Sequence, residues 1–267
     1  MSRFKNYQVG AKFKLSKLDT GDTAFAIGSD ASQRDELDAL ALKLDALQNL
    51  LHAEGRRKVL LVLQGMDTSG KDGTVRWVFS RTSPLGVRVA AFKAPSEEER
   101  AHDFLWRCHA VVPRAGELAV WNRSHYEDVL VPVVEGWIDK AETRRRYAQI
   151  NDFERLLTET GTVIVKCMLH IGKEEQRKRL QARIDTPDKQ WKFSMGDLTV
   201  RDKWDDYQRA YQKALAETST REAPWTIVPA DSKINRNLMI AQLLVRTLEA
   251  MKLVPATDPK LAGLVVR

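Results

Sequence analysis

Two carboxylates stand where a phosphate site would be expected to avoid negative charge. The stretch GMDTSGKDGT, residues 65–74, fits the G-x-x-x-x-G-K pattern of a phosphate-binding loop through Gly65, Gly70 and Lys71. The position after the lysine, expected to be Ser or Thr, is Asp72, and a second acid, Asp67, lies inside the loop. In such a loop the backbone from Gly65 through Thr68, Ser69, Gly70 and Gly73 to Thr74 turns its N–H groups toward phosphates, and Lys71 adds a point charge. The plain alternative is a glycine-rich turn with a surface lysine. Asp72 reads either as an ordinary acid in a first helical turn or as a departure that Thr74 offsets with its hydroxyl. Asp67 is harder to accommodate. Among phosphate oxygens it needs a cation beside it, Mg2+ with Mn2+ as an alternative, or it accepts a proton from an attacking phosphate. Otherwise it faces outward.

A second cluster is AVWNRSHYEDVLV, 119–131. Many phosphate-loop enzymes carry a magnesium-holding Asp at the end of a strand here; this chain carries Asn122. Arg123 suits the oxygens of a transferring phosphoryl group. Asp128 could supply the charge that Asn122 lacks, although Glu127 and Asp128 could equally lie solvated on a helix face. His125 reads as a packing residue. A third cluster, 173–203, is rich in Lys and Arg. Most of these residues, Arg179 among them, read as a solvated helix face. Arg183, Lys189 and Lys192 flank DTPDKQWKFSMGDLTV (185–200), which suits a mobile lid, and are the expected phosphate contacts.

These residues need a scaffold, and short apolar runs supply one: KVLLVLQ (58–64), VRVAAF (87–92), ELAVW (117–121), TVIVKCML (162–169) and WTIVPA (225–230). Alternation with helical stretches predicts a parallel sheet covered on both faces. Leu37, Leu40, Leu44, Leu47 and Leu51 predict an amphipathic helix over 33–54. Residues 1–30 read as an extended arm and 255–267 as a loose tail. The 267 residues suit one phosphate-loop domain with a lid over about 183–203. Their net charge of +7 favours polyanionic partners without choosing among them. Two isolated cysteines and no apolar span or leader predict a soluble cytoplasmic protein, with no membrane partner.

Taken together, LQGMDTSGKDGT, APSEEERAHDFLWRCH, NRSHYEDVLV and WKFSMGD resemble the polyphosphate kinase 2 family, over about residues 5–252. KDGT after the second loop glycine is itself a mark of that family. The resemblance implies a three-layer α/β/α P-loop fold similar to thymidylate kinase, with a helical lid. It implies Mg2+-dependent phosphoryl transfer between inorganic polyphosphate and nucleotides. With Asn122, the chain looks like the group that takes AMP through ADP to ATP; guanine is an alternative base. Carried over by position, Asp67, Lys71, Asn122, Arg123, Asp128 and Arg183 form the catalytic and metal set, with Asp67 and Asp128 on the metal. Lys93, Arg107 and His109 are the implied acceptor contacts. Family members tend to form dimers or tetramers, and the leucine-rich helix is one contact surface, ordinary core packing the other reading.

The nearest rival is an ATP-dependent nucleoside monophosphate kinase. A GTP-binding switch would need an N-K-x-D motif, which is absent. A nucleic-acid binder, suggested by charge alone, would not need Asp67 or the NRSHYED cluster, so no nucleic-acid partner is expected.

Overall fold

The structure, a computed structural model, describes residues 2–261 and 264–266. All five expected runs form strands: β1 Lys58–Gln64, β2 Val87–Ala91, β3 Leu118–Asn122, β4 Thr162–His170 and β5 Trp225–Pro229. They pair in parallel in the order β2-β3-β1-β4-β5. β1 is buried at every position after Lys58, as a strand covered on both faces must be. Its register sets Leu61 beside Val120 of β3 and Val165 of β4. Since the chain leaves β1 toward both neighbours, a crevice opens at the C-terminal ends of β1 and β3. Leu63 pairs with Asn122, so the loop after β1 emerges next to the loop after β3.

The longer helices are α1 Asp30–Glu54, α2 Lys71–Val78, α3 Lys140–Glu159, α4 Lys173–Ile184, α5 Met195–Asp202, α6 Trp204–Thr218 and α7 Lys233–Ala250. α1, α2 and α7 pack together as one layer; α3 and α6 form another. α1 starts three residues before the expected boundary because Ser29 caps it, accepting from the Ser32 N–H. Leu37, Leu44 and Leu51 are buried, and Leu40 and Leu47 pack against the same core. The leucine stripe therefore serves the interior of this chain, the packing reading of the two.

Residues expected to form an extended arm are docked. Phe4, Tyr7, Val9, Leu15 and Phe25 belong to the core. Gln8 bridges antiparallel to Thr226, the Val9 N–H donates to the Trp225 carbonyl at 3.0 Å, and the Ile227 N–H to that of Tyr7 at 2.8 Å. The polar stretch 185–200, expected as a mobile loop, carries a 3-10 turn at Pro187–Lys192 and then α5, opened by a Ser194–Asp197 capping box. The start of the expected loose tail is tied down by the Ala256 N–H to the Ala53 carbonyl, 3.2 Å. Residues 262, 263 and 267 of that tail lie outside the described residues. Among the described residues no helix is long and apolar enough to cross a membrane.

Candidate active site

The loop between β1 and α2 is a tight wrap. Gly65 has φ 149 and sits under the Leu169 carbonyl, where a Cβ would fall 2.5 Å away; Gly70 has φ 101. At the site two non-glycine residues also occupy the left-handed region, Thr68 (φ 62) and Arg123 (φ 63). Such conformations cost on the order of 1 kcal/mol or more each and persist where the surroundings enforce them. Here they bracket a single contact. Arg123 Nη2 donates to Asp67 Oδ1 at 2.6 Å, joining the loop after β3 to the loop after β1. The other guanidinium nitrogen donates to Glu127 Oε2 at 3.1 Å, and Glu127 also accepts from Gln64 at 2.9 Å. Glu127 and then Asp67 hold the Arg123 guanidinium protonated well above its ordinary range. Glu127 is therefore a support for Arg123, not the solvated surface acid it could have been.

Lys71 is buried and donates to the Gly65 and Met66 carbonyls at 2.7 and 3.3 Å. Burial, and next the charge of Arg123, lower its ammonium to about 8. The two anomalies of the sequence meet: Asn122 Nδ2 donates to Asp72 Oδ1 at 2.7 Å. These side chains line a cavity of about 740 Å³ together with Thr68, Gly70, Gly73 and the lid. From the lid come Arg183, Lys189 and Lys192, so the structure brings the expected basic residues to the expected place. Arg183 ties the lid to itself, donating to the Lys192 carbonyl at 3.1 Å and standing 3.5 Å from Asp197.

A smaller cavity of about 210 Å³ adjoins it through Ala91 and Phe92 and is lined by Lys93 and Arg107. Arg107 is positioned by the Lys93 carbonyl at 2.9 Å and by Asp128 at 2.8 Å.

Several expected placements are corrected. Asp128 does not line the main cavity; it is committed to Arg107, and burial lifts its carboxyl above the ordinary value although Arg107 pulls it down. It orients Arg107 and does not fit as a metal ligand with Asp67. Thr74 is on the inward face of α2 and fully buried, so its hydroxyl cannot replace the one missing at Asp72. Ser69 is likewise fully buried beneath the loop. His109 is exposed, set edge-on to Phe153 at 5.0 Å and outside both cavities. Arg179, read as solvated, is only 10% exposed; it donates to the Thr68, Ala230 and Asp231 carbonyls and pairs with Glu175. Its i, i+4 spacing from Arg183 could have found it, since both then share one helix face. Lys233 and Arg76, which also line the cavity, carried no sequence signal.

Would Mg2+ fit? Among the described residues no three His, Cys, Asp or Glu side chains cluster into a protein-only cage. Mg2+ ordinarily takes one or two carboxylates and completes its shell with waters and substrate phosphates. Asp67, half-buried at the cavity wall with Asp72 and Asp197 also lining it, suits that donor set.

Fold and site together define an α/β phosphate-loop protein whose basic cavity is walled by a lid. The chain belongs to the polyphosphate kinase 2 family, whose pattern it matches over residues 28–255. It is 50% identical over 249 residues to the AMP/ADP-polyphosphate phosphotransferase of Meiothermus ruber, covering 92% of this chain and 93% of that one. It is 46% identical to the ADP-polyphosphate phosphotransferase of Rhodopseudomonas palustris, over 81% of this chain and 80% of that one. The crystal structure of polyphosphate kinase 2 from Arthrobacter aurescens superimposes with a TM-score of 0.92 at 47% identity, covering 96% of this chain and 92% of that one.

Proposed function

We infer that the protein transfers phosphoryl groups reversibly between inorganic polyphosphate and adenine nucleotides, forming ADP from AMP and ATP from ADP. The observation that carries this reading is the Asp67–Arg123 contact in the wall of the phosphate-loop cavity, which a second, Arg107-lined pocket adjoins through Ala91 and Phe92. The names of the Meiothermus ruber and Rhodopseudomonas palustris relatives support the substrates. In this reading the end of polyphosphate lies along 68–74, held by loop amides, Lys71, Arg183, Lys189 and Lys192. The nucleotide lies toward Lys93 and Arg107, its phosphate oxygen facing the loop. That oxygen attacks the terminal phosphorus in line; a new P–O bond forms, the bridging P–O bond breaks, and polyphosphate leaves one unit shorter. Arg123, already braced by Glu127, neutralises the equatorial oxygens. Asp67 would hold Mg2+, or Mn2+ in its place, and the ion would neutralise charge on the reacting phosphates. An assembly of two or four chains and a cytoplasmic setting go with the reading; the free, buried Cys108 and Cys167 support a reducing compartment.

The test offers AMP or ADP with either polyphosphate or ATP as donor. ADP and ATP should form with polyphosphate. Turnover of AMP with ATP but not with polyphosphate would identify an ATP-dependent nucleoside monophosphate kinase instead.

A further inference from the structure

Beneath the loop lies a charge that no side chain among the described residues neutralises. Arg236, in the first turns of α7, is 2% exposed. Its Nη1 donates to the Ser69 carbonyl at 3.2 Å, and its Nε and Nη2 donate to the Asn237 side-chain oxygen at 3.2 and 3.0 Å. Among the described residues no carboxylate comes within 4 Å of it. A buried guanidinium normally has such a partner, because leaving water without one is costly. Burial, and next the charge of Arg179, oppose its protonated form; burial and then Arg179 and Arg236 oppose that of Lys233. It lies directly under the anion-binding turn. A Cβ on Gly70 would fall 1.9 Å from Nη1, and one on Gly73 3.2 Å from Nη2. The glycine at 70 thus serves two ends, a left-handed φ of 101 and room for this side chain.

We propose that Arg236 is a positioning residue for the polyphosphate donor: it braces the turn 69–73 from below through the Ser69 carbonyl, and its missing counter-ion is the phosphate bound on the other side of that turn. Arg236 does not line the cavity, so it does not touch the donor. It acts through the loop backbone and through its field, which is weakly screened because water is excluded. The protein tolerates a charge that disfavours the ligand-free fold, and binding of a polyanion relieves it.

The inference rests on polyphosphate being the donor, and the test separates the two. Binding of a defined medium-chain polyphosphate and of AMP is measured calorimetrically for wild type, Arg236→Met and Arg236→Lys, alongside melting temperatures. Arg236→Met should melt at the same or a higher temperature, since an uncompensated charge is replaced by an apolar chain of similar length. Its polyphosphate affinity should nonetheless fall on the order of ten- to a hundredfold, while AMP affinity stays within about twofold. Arg236→Lys should recover most of the loss. A residue that merely packed would move stability downward and both ligands together. Unchanged polyphosphate binding in Arg236→Met, or equal losses for polyphosphate and AMP, overturns the proposal. If Arg236→Met does not fold, Arg236→Lys decides: a loss as large for polyphosphate as for AMP overturns it, and selective retention of polyphosphate binding supports it. Wild type that binds no polyphosphate removes the functional reading itself, and the proposal with it.

Discussion

Changing Asn122 to Asp places a second carboxylate against Asp72. At present the Asn122 amide donates to Asp72 Oδ1 at 2.7 Å. In Asn122→Asp that hydrogen bond, worth about 1 kcal/mol, becomes a repulsion. Two unit charges with centres about 4 Å apart interact by about 4 kcal/mol at an effective dielectric of about 20, and by about 1 kcal/mol in bulk water. Asp72 is exposed and Asn122 only half-buried, which places the net effect near the lower figure, about 1–2 kcal/mol. A cation between the two acids removes the repulsion, so the variant should hold Mg2+ more tightly and at a more fixed position. AMP and ADP differ by one phosphate, so their reactive oxygens cannot both suit one pinned position. The neutral amide leaves that position loose. Asn122→Asp should therefore narrow acceptor choice, one acceptor losing about 5- to 30-fold relative to the other, with little change in melting temperature. The assay is kcat/KM for AMP and for ADP in both proteins, with long-chain polyphosphate as donor. Equal effects on both acceptors would refute a role for Asn122 in acceptor choice, and a wild type using only one acceptor would refute the dual assignment.

Asp67→Asn should keep the fold, since a half-buried loop carboxylate supports little core, yet abolish nearly all transfer by removing several kcal/mol of charge stabilisation; near-normal turnover at saturating Mg2+ would contradict this. Lys71, with its ammonium lowered to about 8, is charged in the ligand-free protein below that pH and neutral above it. Polyphosphate affinity should then fall as pH rises from 7 to 9, and binding at pH 8.5 should take up protons because phosphate raises the ammonium again. Calorimetry in two buffers of different ionisation heat checks this, and no uptake refutes it. By the same shift the ligand-free fold gains stability between about 8 and the ordinary lysine value of 10.5, where the unfolded chain binds more protons. Finally, polyphosphate affinity should weaken steeply between low and moderate ionic strength while AMP affinity changes little; equal salt slopes would argue against a dedicated polyanion track through Arg183, Lys189 and Lys192.

What was legible in the sequence had a period or a spacing. The strands are short apolar runs, and each appears within a residue or two of its expected place because a sheet covered on both faces admits little else. Asp67, Lys71 and Arg123 stand at the cavity where the sequence put them, because their distance from a glycine or a strand end fixes geometry. Asp128 does not, because a carboxylate's partner depends on which arginine folds against it; Arg107 arrives from 21 residues away. Thr74 shows a subtler failure: position along the chain suggested a replacement hydroxyl, but two residues along a helix turn the side chain to another face. Arg236, 167 residues from the carbonyl it braces, has no local pattern at all.

The docked N-terminal segment has a consequence in time as well as in space. β5 is an outer strand, and residues 7–9 lie along it. A ribosome working at about 5–20 residues per second exposes Tyr7 and Val9 roughly 10–45 seconds before Trp225 and Ile227 emerge. Throughout that interval these apolar residues have no final partner, and β5, the last strand of this sheet to be made, closes it using chain that emerged long before. The open flank of β5, which would otherwise invite pairing with a neighbouring nascent chain, is therefore masked only in molecules translated past residue 227. A chain that stops short of Trp225 lacks β5 altogether, so it leaves the β4 edge open and residues 7–9 without their partners.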